Sequence, residues 1–122
     1  MIQLIRGSIF NSKCDLIIIP CNNKGGVTRS IQKELITNDL PYLHTNIPTG
    51  DVQFTQNTGN FSNASVIGFA ASVDALSNTS SENILQKIMN KIKYHCQEQS
   101  LQKVNIPLLG TGAGGLSAII SV

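Results

Sequence analysis

The 122-residue sequence predicts a single layered α/β domain with a mainly parallel sheet, and three observations carry that expectation. Apolar runs of strand length alternate with segments whose apolar residues recur every three or four positions, the pattern of strands joined by helices. Two predicted strands end in glycine-rich stretches, "CNNKGG" and "GTGAGG", and such strand ends are where parallel sheets gather ligands. A chain of this length buries one core without disulfides or metal, so a second domain is not needed.

Along the chain, Met1 to Ile5 is a short apolar start. Asp15 to Pro20, "DLIIIP", is a continuous apolar run, as in a strand covered on both faces. After "CNNKGG" a helix is predicted from about Val27 to Ile36, with Val27, Ile31 and Leu35 on one face and Asn38 as its stop. Residues 38 to 63 are polar and hold one extended piece, Asp51 to Thr55, between "PTG" and "NTGN". Ser65 to Ala71 reads as another buried strand, whose Phe69 and Ala70 either line a cleft or fill the core. Thr79 and Glu82 form a capping box that opens a helix to about Gln97, with Ile84, Leu85, Ile88, Met89 and Ile92 as its apolar stripe. Val104 to Leu109 is the last clear strand.

Composition narrows the function classes. Hydrophobic residues make up 41% of the chain, in runs shorter than the roughly 20 residues of a membrane span, so no membrane segment is expected. A net charge of +2, with scattered Lys and Arg, gives no strong nucleic-acid signal. Two Tyr and four Phe supply few platforms for base stacking. Cys14, Cys21 and Cys96 form no CxxC pair, and no signal peptide is visible, which points to reduced thiols and a cytoplasmic chain. These cysteines show no zinc-ligand spacing with His44 and His95, so no metal and no cofactor are expected.

The chemistry gathers in the glycine loops. Glycine leaves backbone N–H groups unshielded, so several can converge on one anion, and the positive end of a following helix adds to the attraction. Two such loops facing each other would grip a diphosphate. Gly110, Gly112 and Gly115 spell G-x-G-x-x-G, but a dinucleotide fingerprint needs a helix, a second strand and an acidic residue about 20 positions on, and only seven residues follow Gly115. A Walker loop fails too, because no Lys-Ser or Lys-Thr pair follows the glycines. The plain alternative is that the glycines only make tight turns; their density argues for a ligand.

With these residues in place, the chain from Met1 to about Gly115 resembles a macro domain, the α/β module that binds ADP-ribose and related metabolites. "CDLIIIPCNN" is similar to that family's strand motif, with Asp15 and Asn22 on the matching positions. "IPTGDV" resembles the segment leading into the next strand, and "IPLLGTGAGG" the phosphate loop. The resemblance implies a three-layer domain with a mixed, mainly parallel sheet between helices. It also implies a ligand site with Gly25, Gly26, Val27 and Thr28 on one side and Gly110, Thr111, Gly112, Ala113, Gly114 and Gly115 closing over the diphosphate from the other. Asn22 falls near the distal ribose, or else only caps its loop, and Ser8 and Ile9 fall on the adenine side.

Departures from the pattern shape the functional expectation. Where many members carry Gly-Asp-Ile, with the aspartate reading adenine, this chain has Gly7, Ser8 and Ile9. Gly114 stands where an aromatic usually meets the distal ribose, leaving that pocket more open. Hydrolytic members resembling the mono-ADP-ribose-removing branch place an acidic residue where this chain has Thr28, and another branch uses a nucleophilic lysine. Lys24 lies in the loop without a matching offset, so its plainer reading is a solvated or phosphate-facing charge.

The expected function is therefore a reader of ADP-ribose or a modified, NAD-derived metabolite, similar to the sensing modules of bacterial antiviral defence. The alternatives are an ADP-ribosyl hydrolase using Asn22 and Lys24, and an interaction module that has lost its ligand. The resemblance also implies a C-terminal helix and strand that the sequence lacks, with Ser117 capping the helix start, so fusion to or completion by another domain is expected.

Overall fold

The computed structural model describes residues 2–6, 9–41, 45–76, 81–107 and 116–121, the first and last of these through their backbone pairing. Six strands and two α-helices follow one another in the order β1 (Ile2–Arg6), β2 (Leu16–Asn22), α1 (Arg29–Thr37), β3 (Val52–Gln56), β4 (Val66–Val73), α2 (Glu82–Gln99), β5 (Lys103–Pro107) and β6 (Leu116–Ser121). A 3-10 turn, Ile9–Asn11, lies between β1 and β2. The strands form one sheet ordered β1-β6-β5-β2-β4-β3. β2 pairs in parallel with both β4 and β5, while β3, β6 and β1 are attached antiparallel. The sheet is thus mixed, with the parallel pairs at its centre and antiparallel ones at both flanks.

The run "LIII" of β2 is apolar throughout because both of its faces are covered. Ile17, Ile19 and Cys21 join Leu35 of α1, with Ile67, Phe69 and Ala71 of β4, in one core. Leu16 and Ile18 join Ile88, Ile92 and Cys96 of α2, with Val66 and Ala70, in the other. Alternate residues of each central strand feed opposite cores, so α1 and α2 lie on opposite faces and the domain has three layers. Phe69 and Ala70 are both core residues.

Asp15, just before β2, ties the amino ends of the three parallel strands together. Its Oδ2 accepts from the Gln102 and Lys103 N–H groups at 2.8 and 2.9 Å. Its N–H donates to Lys103 O at 2.9 Å, and its carbonyl accepts from Val66 N–H and Ser65 Oγ. The aspartate that opens the strand motif is therefore a structural clamp, at the opposite end of β2 from the "CNNKGG" loop.

Two expectations are corrected. Helix α2 begins at Glu82 with Ser81 as its N-cap, its hydroxyl accepting from Ile84 N–H at 3.2 Å, and Thr79 lies outside the described residues. Its buried stripe runs Ile88, Ile92 and Cys96, four apart, and leaves Met89 exposed. Leu116–Ser121, read as the start of a helix capped by Ser117, is strand β6, where Ser117 pairs with Ile5 on one side and Pro107 on the other. The β-branched pair Ile119 and Ile120 suits a strand, and backbone partners on both sides outweigh any local helical start.

Candidate functional site

β2 and β4 run parallel and end together, at Asn22 and Val73, and an open cleft of about 210 Å³ lies at that carboxyl edge. It is lined by Pro20, Cys21, Asn22, Gly26, Val27, Thr28, Ser72 and Val73. Helix α1 starts on its rim, with Thr28 as N-cap accepting from Ile31 N–H through Oγ1 at 3.3 Å. This is the location expected of a ligand site in such a sheet.

The loop between β2 and α1 folds around the Asn22 amide. Asn22 Oδ1 accepts from the N–H groups of Lys24 and Gly26, each at 2.9 Å. Gly25 N–H donates to Asn22 O at 3.0 Å, and Asn22 N–H donates to Gly26 O at 2.8 Å. Gly25 has φ 80°, in the left-handed region that glycine adopts without strain. Gly26 is needed for room, since a Cβ there would stand 2.8 Å from Asn22 Nδ2. The glycine N–H groups are thus spent on building the loop. Among the described residues, the N–H groups of Val27, Thr28, Arg29 and Ser30 and the Asn22 Nδ2 have no acceptor. Unpaired N–H groups at a helix start form a ready anion site.

Neighbouring loops hold this one in place. Asn23 Oδ1 accepts from Ala75 N–H at 2.8 Å and its carbonyl accepts from Ile47 N–H at 2.9 Å. The segment "IPTGDV" turns tightly, with Asp51 N–H donating to Pro48 O and Gly50 at φ 92°, as a type II turn requires. It is pinned to β4 by Gly50 N–H on Ala71 O and Ala71 N–H on Asp51 O. Lys91 of α2 reaches Asp51 Oδ1 at 2.6 Å, and this contact holds the Asp51 carboxyl below its ordinary range.

Of the residues singled out from the sequence, Asn22, Gly26, Val27 and Thr28 line one cleft, and Gly25 is buried in the same loop with its N–H on Asn22 O. Lys24 faces a separate depression, which it lines with Asn23, Asn46, Ile47 and Pro48. Ile9 is 3% exposed and packs in the α1-side core. Ser8 and residues 110 to 115 lie outside the described residues. Pro20, Cys21, Ser72 and Val73 were missed as lining residues. The signal for Ser72 was present, as a polar residue interrupting the apolar strand "VIGFAASV".

The ionisable side chain among those lining the cleft is Cys21, whose thiol burial pushes up to about 12. Cys14, Cys21 and Cys96 are all buried free thiols. Among the described residues, no group of three His, Cys, Asp or Glu could hold a metal ion, and no helix is long and apolar enough to cross a membrane.

Comparison with known proteins agrees with this architecture. Among solved structures, the chain is similar to the macrodomain of Mycobacterium tuberculosis DarG, with TM-score 0.65 and 14% identity over 89% of this chain and 76% of that one. It is also similar to the macro domain of ganglioside induced differentiation associated protein 2, with TM-score 0.63 and 18% identity over 81% of this chain. In the latter case it spans about half of the other chain, 52%. At these identities the likeness is one of fold. No curated protein matches the sequence. The family model for the Macro domain matches residues 20–121, from the end of strand β2 through both glycine-rich segments. The chain therefore belongs to the Macro domain family, whose members bind and process ADP-ribose.

Proposed function

We propose that this chain is a binding module for ADP-ribose or a modified, NAD-derived relative, a reader without efficient catalysis. The observation that carries the reading is the chemistry of the cleft wall. Unpaired donors, the N–H groups of Val27 and Thr28 and the Asn22 amide, sit at the start of a helix, where they suit a diphosphate and ribose oxygens. Among the described lining residues none is a carboxylate, an imidazole or an amine, and a thiol at about 12 is no base at neutral pH. Lys24, the amine named for a hydrolase, belongs to the neighbouring depression. Residues 110 to 115 form the opposing wall in this proposal.

Calorimetric titration with ADP-ribose, beside a deribosylation assay on a modified protein or nucleic acid, tests the reading. Binding without turnover is the expected result. Turnover abolished by Asn22→Ala would replace the reader with a hydrolase in which Asn22 orients ribose and water, and silence in both assays would remove both. Gly112→Glu, which sets a carboxylate against the phosphates, is expected to abolish binding in a folded protein. On this proposal the domain works in the cytoplasm as the sensing part of a larger assembly.

A further inference from the structure

Strand β3 lies at one edge of the sheet, paired with β4 on one side only. Asp51 O accepts from Ala71 N–H and Asn57 N–H donates to Ser65 O, and between these bonds the register runs without a shift from Val52 opposite Ala70 to Gln56 opposite Val66. In an antiparallel ladder alternate residues exchange bonds with the partner strand. Residues 51, 53, 55 and 57 therefore face β4, and the backbone groups of Val52, Phe54 and Gln56 turn outward. Val52 N–H is capped by its neighbour, Asp51 Oδ1, at 2.8 Å. The N–H and C=O groups of Phe54 and Gln56 have no partner among the described residues.

Proteins blunt such an edge with charged side chains, proline or a bulge, because it is a template for another strand. The strand "VQFTQ" carries no charge and no proline, and it pairs with β4 without a bulge. It is braced instead: Phe54 packs in the α2-side core with its ring stacked on His95, centroids 3.7 Å and planes 3° apart, and Lys91 holds Asp51 at its start. A second copy of β3 fits this edge. Laid antiparallel about a two-fold axis at Thr55, each Phe54 pairs with Gln56 of the other copy, and the open N–H and C=O groups of both residues are all satisfied. The charges agree. The flank of α2 above this edge carries Lys87, Lys91, Tyr94 and Glu98 at spacings of three or four, basic at its start and acidic at its end, with Tyr94 66% exposed. The two-fold axis sets two such flanks antiparallel, the basic part of each toward the acidic end of the other.

We propose that β3 is a homodimerisation edge, where two copies of this chain join their sheets through antiparallel pairing of Phe54 with Gln56 around Thr55. An edge of five residues makes a small interface, so the dissociation constant is expected on the order of 10–100 μM. No β3 residue lines the cleft between β2 and β4, so the dimer carries two open clefts and can hold two ligand groups on one target at once. The pairing itself does not depend on what the cleft binds.

The test is sedimentation velocity of the chain from about 1 μM to about 1 mM, a range that brackets the expected constant. Wild type is expected to pass from monomer to dimer across it. Gln56→Pro removes an outward N–H without touching the β3–β4 ladder and is expected to weaken the dimer about 10-fold or more. Thr55 is exposed, and Thr55→Lys or Thr55→Glu sets like charges opposite each other at the axis, so each variant alone is expected to weaken by about 10-fold while their mixture associates again. Amide exchange of the wild type, read by NMR at low and high concentration, tests the edge even if a variant fails to fold: Phe54 and Gln56 should gain protection on concentration, whereas Gln53 and Thr55 are protected throughout. A wild type that stays monomeric to about 1 mM overturns the proposal. So does a dimer that these variants leave unchanged, a mixture of the two Thr55 variants that stays apart, or exchange at Phe54 and Gln56 that ignores concentration.

Discussion

Replacing Gly26 by alanine probes the framework of the loop directly. The new Cβ would stand 2.8 Å from Asn22 Nδ2, 3.2 Å from Oδ1 and 3.3 Å from Cγ, so the amide has to turn away. Turning it breaks the two bonds that fix it, from Lys24 and Gly26 N–H at 2.9 Å each. A neutral hydrogen bond contributes about 0.5–1.5 kcal/mol net, and both of these lie in an exposed loop, so the combined cost is about 1–2 kcal/mol. Against this, alanine for glycine at a position without positive φ restricts the unfolded chain and returns about 0.5 kcal/mol. The net loss is about 1 kcal/mol, or a Tm lower by about 4 °C for a domain of this size. The collision also disappears when the amide is absent. In an Asn22→Ala background, Gly26→Ala is therefore expected to be neutral or stabilising by about 0.5 kcal/mol, giving a coupling of about 1–2 kcal/mol in a double-mutant cycle. Thermal and urea unfolding of the four proteins measure it. Additive effects would refute the claim that Gly26 is there to make room for the Asn22 amide.

Other regions give independent expectations. Asp15→Ala removes the acceptor of two strand N–H groups and is expected to cost about 2–3 kcal/mol in urea unfolding, while ADP-ribose affinity of the folded protein stays unchanged because the clamp lies at the opposite end of the sheet. Asp51 is held by Lys91 with its folded pKa depressed, so its stabilisation is present above the ordinary value of 3.8 and is lost as pH falls through the lower folded value. Since Lys91 is 55% and Asp51 33% exposed, the pair is worth only about 0.5 kcal/mol. Asp51→Asn should lower the Tm slightly at pH 7 and not at strongly acid pH, and an equal deficit at both would count against the ion pair. Cys21, pushed to about 12 by burial, should resist iodoacetamide at pH 8 in the native protein and react only in denaturant, as read by mass spectrometry. Rapid native alkylation would show a thiol more open, and more useful to chemistry, than its burial implies.

What the sequence by itself determined is whatever follows from local pattern. The uninterrupted run of β2 announced a strand covered on both faces, the spacing of Ile84, Leu85, Ile88, Met89 and Ile92 announced a helix, though the stripe it buries is Ile88, Ile92 and Cys96, and "CNNKGG" announced a loop at a strand end. Asn38, read as the stop of the first helix, is the C-cap of α1, whereas Thr28, which the apolar spacing put inside the helix, is its N-cap. The tertiary structure decided everything that depends on partners distant in the chain. Leu116–Ser121 is a strand because β1 and β5 leave a place for its backbone between them. Ser72 reaches the cleft because the register between β2 and β4 slips there, and register belongs to the pair of strands, so neither segment read alone contains it. The glycines of the first loop looked like phosphate donors in the sequence, yet the fold turns the N–H groups of Lys24 and Gly26 onto Asn22 and leaves the open donors one turn later, at the start of α1. A residue's type states what bonds it can make; only the folded chain settles which of them are already made.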